Sequence, residues 1–139
     1  MKKSLLFFLL TPLFVSGADP HGDVQVDILV QSDASWNGDT LPAYPTEAPQ
    51  ISVVKIVIPP HTQLQLHKHP SINAGYLISG EITVHAEDGK TQLVKAGDGL
   101  IEMVNTWHYG SNDGELPADI VIVYVGIKGR PLAIIKEAE

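Results

Sequence analysis

The histidines carry the most chemical reach in this 139-residue chain, which has six of them and no cysteine. Two stand one residue apart, His67 and His69, at the end of a stretch that alternates from Thr62 to His69. The alternation puts Gln63, Gln65, His67 and His69 on one face and Leu64, Leu66 and Lys68 on the other. A face with two imidazoles and two amides is not the buried side of a plain apolar core. Alternate residues of a strand point the same way, so both rings can reach one metal ion. A His-x-His pair also suits a solvated face, and the pair alone does not decide between the two readings. Without cysteine, thiol catalysis and thiolate ligands are excluded. The sequence has no Ser-His-Asp pattern, phosphate loop or paired-carboxylate hydrolase pattern.

Such residues need a β scaffold, and the chain supplies one. After residue 18 it has 12 Val and 13 Ile against 9 Leu, and branched side chains suit pleated strands better than helices. Strands are expected over Val24 to Val30, Ile51 to Ile58, Thr62 to His69, Gly75 to Ser79, Glu81 to Ala86, Thr91 to Lys95, Leu100 to Val104, Ile120 to Ile127 and Leu132 to Ile135. Glu87-Asp88-Gly89-Lys90 reads as a hairpin turn with Asp-Gly at its centre. Pro59-Pro60 ends a strand and places His61 at a strand mouth, where an exposed turn residue is the simpler reading than a ligand. Residues 32 to 50 hold three prolines and an Asn-Gly-Asp turn, so they form a long ordered connector rather than a lid, with Trp36 and Tyr44 pinning it to the body. No helical period follows the first 18 residues, and the class is all-β, a sandwich or barrel.

The chain start is a different object. Lys2 and Lys3 precede an apolar run from Leu5 to Val15, then Ser16-Gly17-Ala18, the order of a cleavable secretion signal. All three phenylalanines fall inside it. The run is short for a membrane span. Cleavage after Ala18 leaves a single domain of 19–139, 121 residues with 7 basic and 16 acidic side chains and a net charge of −9. An acidic domain with one arginine, Arg130, argues against nucleic acid and anionic membranes as partners. The expected location is periplasmic or secreted, where a cysteine-free chain relies on packing or metal for stability.

Two segments complete the pattern. One reads His61-x5-His67-x-His69-x3-Asn73-x6-Gly80 and the other Gly97-x5-Met103-x-Asn105-x2-His108-x3-Asn112. They resemble the two motifs of the cupin superfamily at His67, His69, Gly80, Gly97, His108 and Asn112. The resemblance implies an antiparallel jelly-roll barrel with a divalent metal (Fe, Mn, Zn, Ni or Cu) held inside by His67, His69 and His108. It also implies the homodimer common among small cupins, with Val24 to Val30 and Leu132 to Ile135 as candidate exchanged strands. His61 and Asn105 replace motif glycines, and both types enter the left-handed backbone region more readily than most residues. Met103 replaces a proline and reads as packing. Asn73 stands where the family has a glutamate ligand. Its carbonyl is a weaker, neutral ligand, or it only hydrogen-bonds a metal-bound water. Either way the ion's double positive charge is left uncompensated, which favours an anionic outer group or an anionic substrate.

With Fe(II), three histidines leave room for a chelating or anionic substrate beside dioxygen, and the resemblance implies oxygenase chemistry with Asn73 positioning water or substrate and Gln65 contacting substrate. With Zn or Ni the same site would serve a lyase or isomerase. No acid-base residue of perturbed character stands out in the sequence. The alternative is a non-catalytic cupin that binds a sugar or other small molecule, with metal structural or absent. Gly75 and Leu77 should share the inward face of Asn73, Trp107 and Tyr109 should point away from the ion, and Tyr124 either faces the cavity or packs.

Overall fold

A computed structural model describes residues 24–137 of the chain. The proposed signal of residues 1–18 lies outside the described residues. Ten strands follow in order: β1 Pro49–Ile58, β2 Thr62–Gln63, β3 His67–Lys68, β4 Ile72–Ser79, β5 Glu81–Ala86, β6 Thr91–Lys95, β7 Gly99–Ile101, β8 His108–Asn112, β9 Ala118–Ile127 and β10 Ile134–Ile135. No helix occurs among the described residues. One sheet runs β1-β9-β4-β7 and the other β10-β3-β8-β5-β6, with β2 also on β8, and all pairings between these strands are antiparallel.

Period-2 patterning decides which side chains fill the space between the sheets. On β9, Ala118, Ile120, Ile122 and Tyr124 are buried while Asp119, Val121 and Val123 face outward. They meet Ile58, Leu77, Ile82, Val84, Val94 and Leu100 in one core. Gly75 shares the inward face of Asn73 and Leu77 as expected, and a Cβ there would meet the Ile120 side chain at 3.1 Å. Met103 is fully buried packing.

The turns follow the sequence reading closely. His61 (φ 52) and Asn105 (φ 56) are the positive-φ non-glycine residues among those described, so both motif turns survive without glycine. Gly80 (φ 77) is obligatory twice over, because a Cβ there would also sit 2.7 Å from the Pro117 carbonyl. Gly89 closes the β5–β6 hairpin by donating to the Ala86 carbonyl at 3.0 Å.

Three expectations change. Val24 to Val30 forms no strand. Val24 and Val26 are 89% and 80% exposed, and only the end of the segment packs, with Val30 against Gly99 of β7. Tyr44 is 75% exposed and pins nothing, whereas Trp36 does pack on the core and donates its backbone N–H to the Ile101 carbonyl. Residues 33–41 close on themselves and rest along β7 as a packed connector, whereas residues 42–48 are exposed and Pro49 and Gln50 already belong to β1.

The third change bears on the site. Thr62 to His69 is not one strand. Gln63 pairs with Ser111, but His67 pairs with His108, so four steps on one side oppose three on the other. The extra residue is a bulge, and a one-residue slip reverses which face each side chain takes. Leu64 therefore turns inward with His67, while Gln63 and Gln65 turn to solvent.

Candidate metal centre

His67 and His108 are direct cross-strand partners on β3 and β8, so their side chains share a face. His69 follows two residues later, held by the Asn105 N–H donating to its carbonyl at 2.7 Å. The three rings stand 4.6 to 5.0 Å apart between centroids, and their ligand nitrogens all lie within 4.8 Å of one another.

Each ring is anchored through Nδ1 to a backbone carbonyl: His67 to Gln65 at 2.6 Å, His69 to Leu132 at 3.0 Å and His108 to Thr106 at 2.8 Å. A carbonyl only accepts, so Nδ1 carries the proton and donates in each case. In the neutral ring Nε2 then keeps its lone pair. Three such lone pairs converging from fixed rings are a prepared metal face. Burial strengthens this by holding the His69 and His108 pKa values down at about 4, against 6.5 for a free imidazole. Neighbouring imidazoles lower both further, and the carbonyl bonds offset part of the effect.

The rings open into a cavity of about 50 Å³, walled by Ile56, Ile58, Leu64, Ile82, Val84 and Ile122 and closed by Glu102, Gly110, Ile120 and Tyr124. A larger cleft of about 410 Å³ lies elsewhere, between residues 29–36 and strands β6 and β7, and contains no histidine.

Glu102 went unnoticed in the sequence because it sits in an apolar stretch with no motif position. It is 6% exposed, and its Oε2 lies 3.4 Å from His108 Nε2. Burial pushes its pKa up to about 7, partly offset by a bond from the Met103 backbone N–H. With His108 held near 4, this contact joins a neutral imidazole to a carboxyl that changes charge near neutrality, rather than a fixed ion pair. The expectation that no acid-base residue of perturbed character is present is therefore corrected.

Asn73 is fully buried on β4, opposite Tyr124 of β9. Its Nδ2 donates at 3.4 Å to the Ser71 carbonyl, and its Oδ1 has no partner. Tyr124 faces the cavity, its ring centroid 5.4 Å from that of His69, and burial and then the charge of Glu102 push its phenol up to about 12. Gln65 does not join the imidazoles. Its side chain is exposed, and its contribution is the carbonyl that holds His67. His61 sits on the exposed turn, 3.4 Å from Glu115. Trp107 and Tyr109 point away from the cavity, the first beneath Lys68 and Lys136 and the second stacked on His85.

The donor set fits a divalent cation. Asn73 Oδ1, Glu102 Oε2 and His108 Nε2 are buried atoms without hydrogen-bond partners, and with Glu102 ionised and His108 neutral all three are acceptors. Buried acceptors left unpaired are costly, and a cation or its bound water satisfies them together.

A family model described as cupin domain matches residues 54–124. No curated protein matches the chain in sequence. Among solved structures, a protein of Klebsiella pneumoniae with a double-stranded beta-helix domain is 24% identical, with a TM-score of 0.55 over 71% of this chain and 83% of that one. A DMSP lyase of Ruegeria pomeroyi shares the fold at 14% identity and TM-score 0.56, over 73% of this chain and 49% of the lyase. The oxalate decarboxylase of Bacillus subtilis, described for its Mn(II) centres, is 26% identical with TM-score 0.51 over 61% of this chain and 23% of that enzyme. With its paired sheets, its three converging imidazoles and a family match over half its length, the chain belongs to the cupin domain family.

Proposed function

We propose that this protein is an exported metal-dependent enzyme acting on a small anionic or chelating substrate. In this reading residues 1–18 direct export to the periplasm or medium and are removed. The 19–139 domain then holds one divalent ion through the Nε2 atoms of His67, His69 and His108. The observation that carries the reading is the anchoring of all three rings by Nδ1–H donation to backbone carbonyls, which leaves three lone pairs aimed at one point. Fe(II) there would supply oxygenase chemistry, with open positions for substrate and dioxygen.

The chain's own side chains then take defined parts. Asn73 Oδ1 accepts a hydrogen bond from water or substrate. In the metal-free protein Glu102 can hold or release a proton near neutral pH. The Tyr124 hydroxyl stays protonated and is available as a donor. The aliphatic wall keeps bulk water out. The cavity, about 50 Å³, is far below the roughly 300–1,000 Å³ of pockets for drug-sized ligands, which favours a very small substrate over a sugar-binding role.

The test is metal analysis of the purified protein after anaerobic loading with Fe(II), Mn(II), Zn(II), Ni(II) and Cu(II), followed by oxygen uptake with small chelating acids. Mn(II) belongs in the panel because of the Mn(II) centres of the B. subtilis decarboxylase. One ion per chain with oxygen consumption is expected. Protein that takes up no ion, and whose melting ignores chelator, would sink the reading. A homodimer is supported by the exposed Ile51, Val53, Val57, Tyr76 and Ile78 on the outer face of β1 and β4, and sedimentation velocity tests it. Sequencing the N-terminus of exported protein tests cleavage after Ala18.

A further inference from the structure

Asn73 and Glu102 face each other across two strands. Ala74 pairs with Ile101 in the β4–β7 ladder, and the Glu102 N–H donates to the Asn73 carbonyl at 3.2 Å, which extends the same register by one residue. Direct cross-strand partners project to the same side. Both are buried, at 0% and 6% exposure, and each ends in an oxygen without a partner. Tyr124, the partner of Asn73 on its other side, continues the row into the cavity. The inner face of β7, β4 and β9 thus carries a carboxyl, an amide and a phenol side by side.

Position 73 is where the motif resemblance expects a carboxylate, and it offers only a neutral amide. Among the described residues, the one carboxyl lining the cavity stands just past the end of β7, at the facing position. Its Oε2 approaches the Nε2 of His108, the atom whose lone pair would bind the ion, at 3.4 Å. Glu102 is not part of the 4.8 Å grouping of the three imidazoles, so it flanks the metal face instead of completing it. The backbone there is braced from outside, since the buried Ser35 donates its hydroxyl to the Glu102 carbonyl at 3.0 Å.

We propose that Glu102 supplies the negative charge of the metal centre, a carboxylate transferred across the β4–β7 ladder from position 73 to the residue facing it. The inference rests on the metal reading above. Three neutral imidazoles leave a divalent ion's charge unbalanced inside an apolar cavity, and an adjacent buried carboxylate offsets it. Asn73 Oδ1 is then the neutral neighbour of that carboxylate, able to accept from the same bound water.

The experiment measures Mn(II) and Zn(II) dissociation constants of the purified full-length protein by competition with a chelating dye. Wild type, E102Q, N73E/E102Q and H108A are compared, with circular dichroism of the metal-free forms as the folding control. Glu102→Gln keeps the shape and removes the charge, and should weaken binding by about 10- to 100-fold. The exchanged variant N73E/E102Q, with the carboxylate returned to strand β4, should regain at least ten-fold of that loss. If E102Q binds as tightly as wild type, the inference falls while the metal site stands. An exchange that regains nothing would overturn the transfer between facing positions. If wild type and H108A both fail to bind either ion, the metal reading falls and the inference with it.

Discussion

Strand β8 carries a polar cluster on each face, and the two differ in what is left unpaired. On the outer face His85 Nε2–H donates to Ser111 Oγ at 3.0 Å, Ser111 donates to Asp113 at 2.9 Å, and His85 stacks on Tyr109 with centroids 4.6 Å apart. Histidine, serine and aspartate meet there, but the serine proton goes to the aspartate and not to the imidazole. That order lacks the histidine base of a nucleophilic triad, and the bonds end at the Asp113 carboxylate. On the inner face His67, His69, His108, Glu102 and Asn73 gather with three acceptor atoms lacking donors. The same contrast separates two fully buried asparagines. Asn112 gives both Nδ2 protons, to the Ile58 and Leu116 carbonyls, and accepts from the Gly114 N–H. Asn73 makes one long bond and leaves Oδ1 free. Clusters of polar type are common on barrels, and unpaired acceptors inside an apolar-walled cavity are what mark one of them as a site.

The largest effect should come from the satisfied asparagine. Asn112→Ala removes three hydrogen bonds that tie β1 to the β8–β9 turn and strands their partners, a loss of about 3 kcal/mol by urea unfolding. Asn73→Ala should cost under about 1 kcal/mol in metal-free protein, since only one long bond goes. Equal losses would break the contrast between the two asparagines.

Next comes the comparison of histidines on the two faces. His69→Ala should lower metal affinity by roughly 100-fold or more, whereas His85→Ala should leave it unchanged within error. Calorimetric titration with Zn(II) reads both, and any loss in the His85 variant would mean the faces are coupled.

Acidity sharpens the comparison further. His69 and His108, lowered to about 4, stabilise the fold fully above 6.5, and that stabilisation is lost as pH falls toward 4. Glu102, raised from 4.5 to about 7, acts in the opposite sense: its contribution is full below 4.5 and lost as pH rises through 7. Two imidazoles outweigh one carboxyl, so metal-free protein should lose about 2–3 kcal/mol between pH 6.5 and 4.5. In Glu102→Gln the opposing contribution is gone and the fall should be steeper. A stability flat across that window would mean that the rings are not buried neutral.

The smallest effect belongs to the outer face. Ser111→Ala should cost about 1 kcal/mol, because His85 and Asp113 regain water when their bridge is removed. A change in metal affinity in that variant would contradict the separation of the two clusters.

Much of this was legible along the chain, for reasons that are local. His67 and His69 declare themselves by spacing, and His108 by the second motif. The turns at His61 and Asn105 were readable because a residue's tolerance of positive φ is its own property. The Glu81 to Ala86 and Thr91 to Lys95 strands around Asp88-Gly89 needed only a hairpin's short reach. Reading failed where a partner strand set the outcome. Val24 to Val30 alternates like a strand, but no neighbour pairs with it among the described residues.

The sequence by itself therefore determined the β class, the three imidazoles and the two strained turns, all of which depend on side-chain type or on residues a few positions apart. Tertiary structure alone decided the rest. The bulge between β2 and β3 turns Leu64 in and Gln65 out, because β8 sets the register of both. Packing of β4 against β7 brings Glu102 opposite Asn73, 29 positions away in the chain. Period-2 alternation says which residues share a face but not which strand lies beside it, and that pairing is chosen by the closure of the whole core.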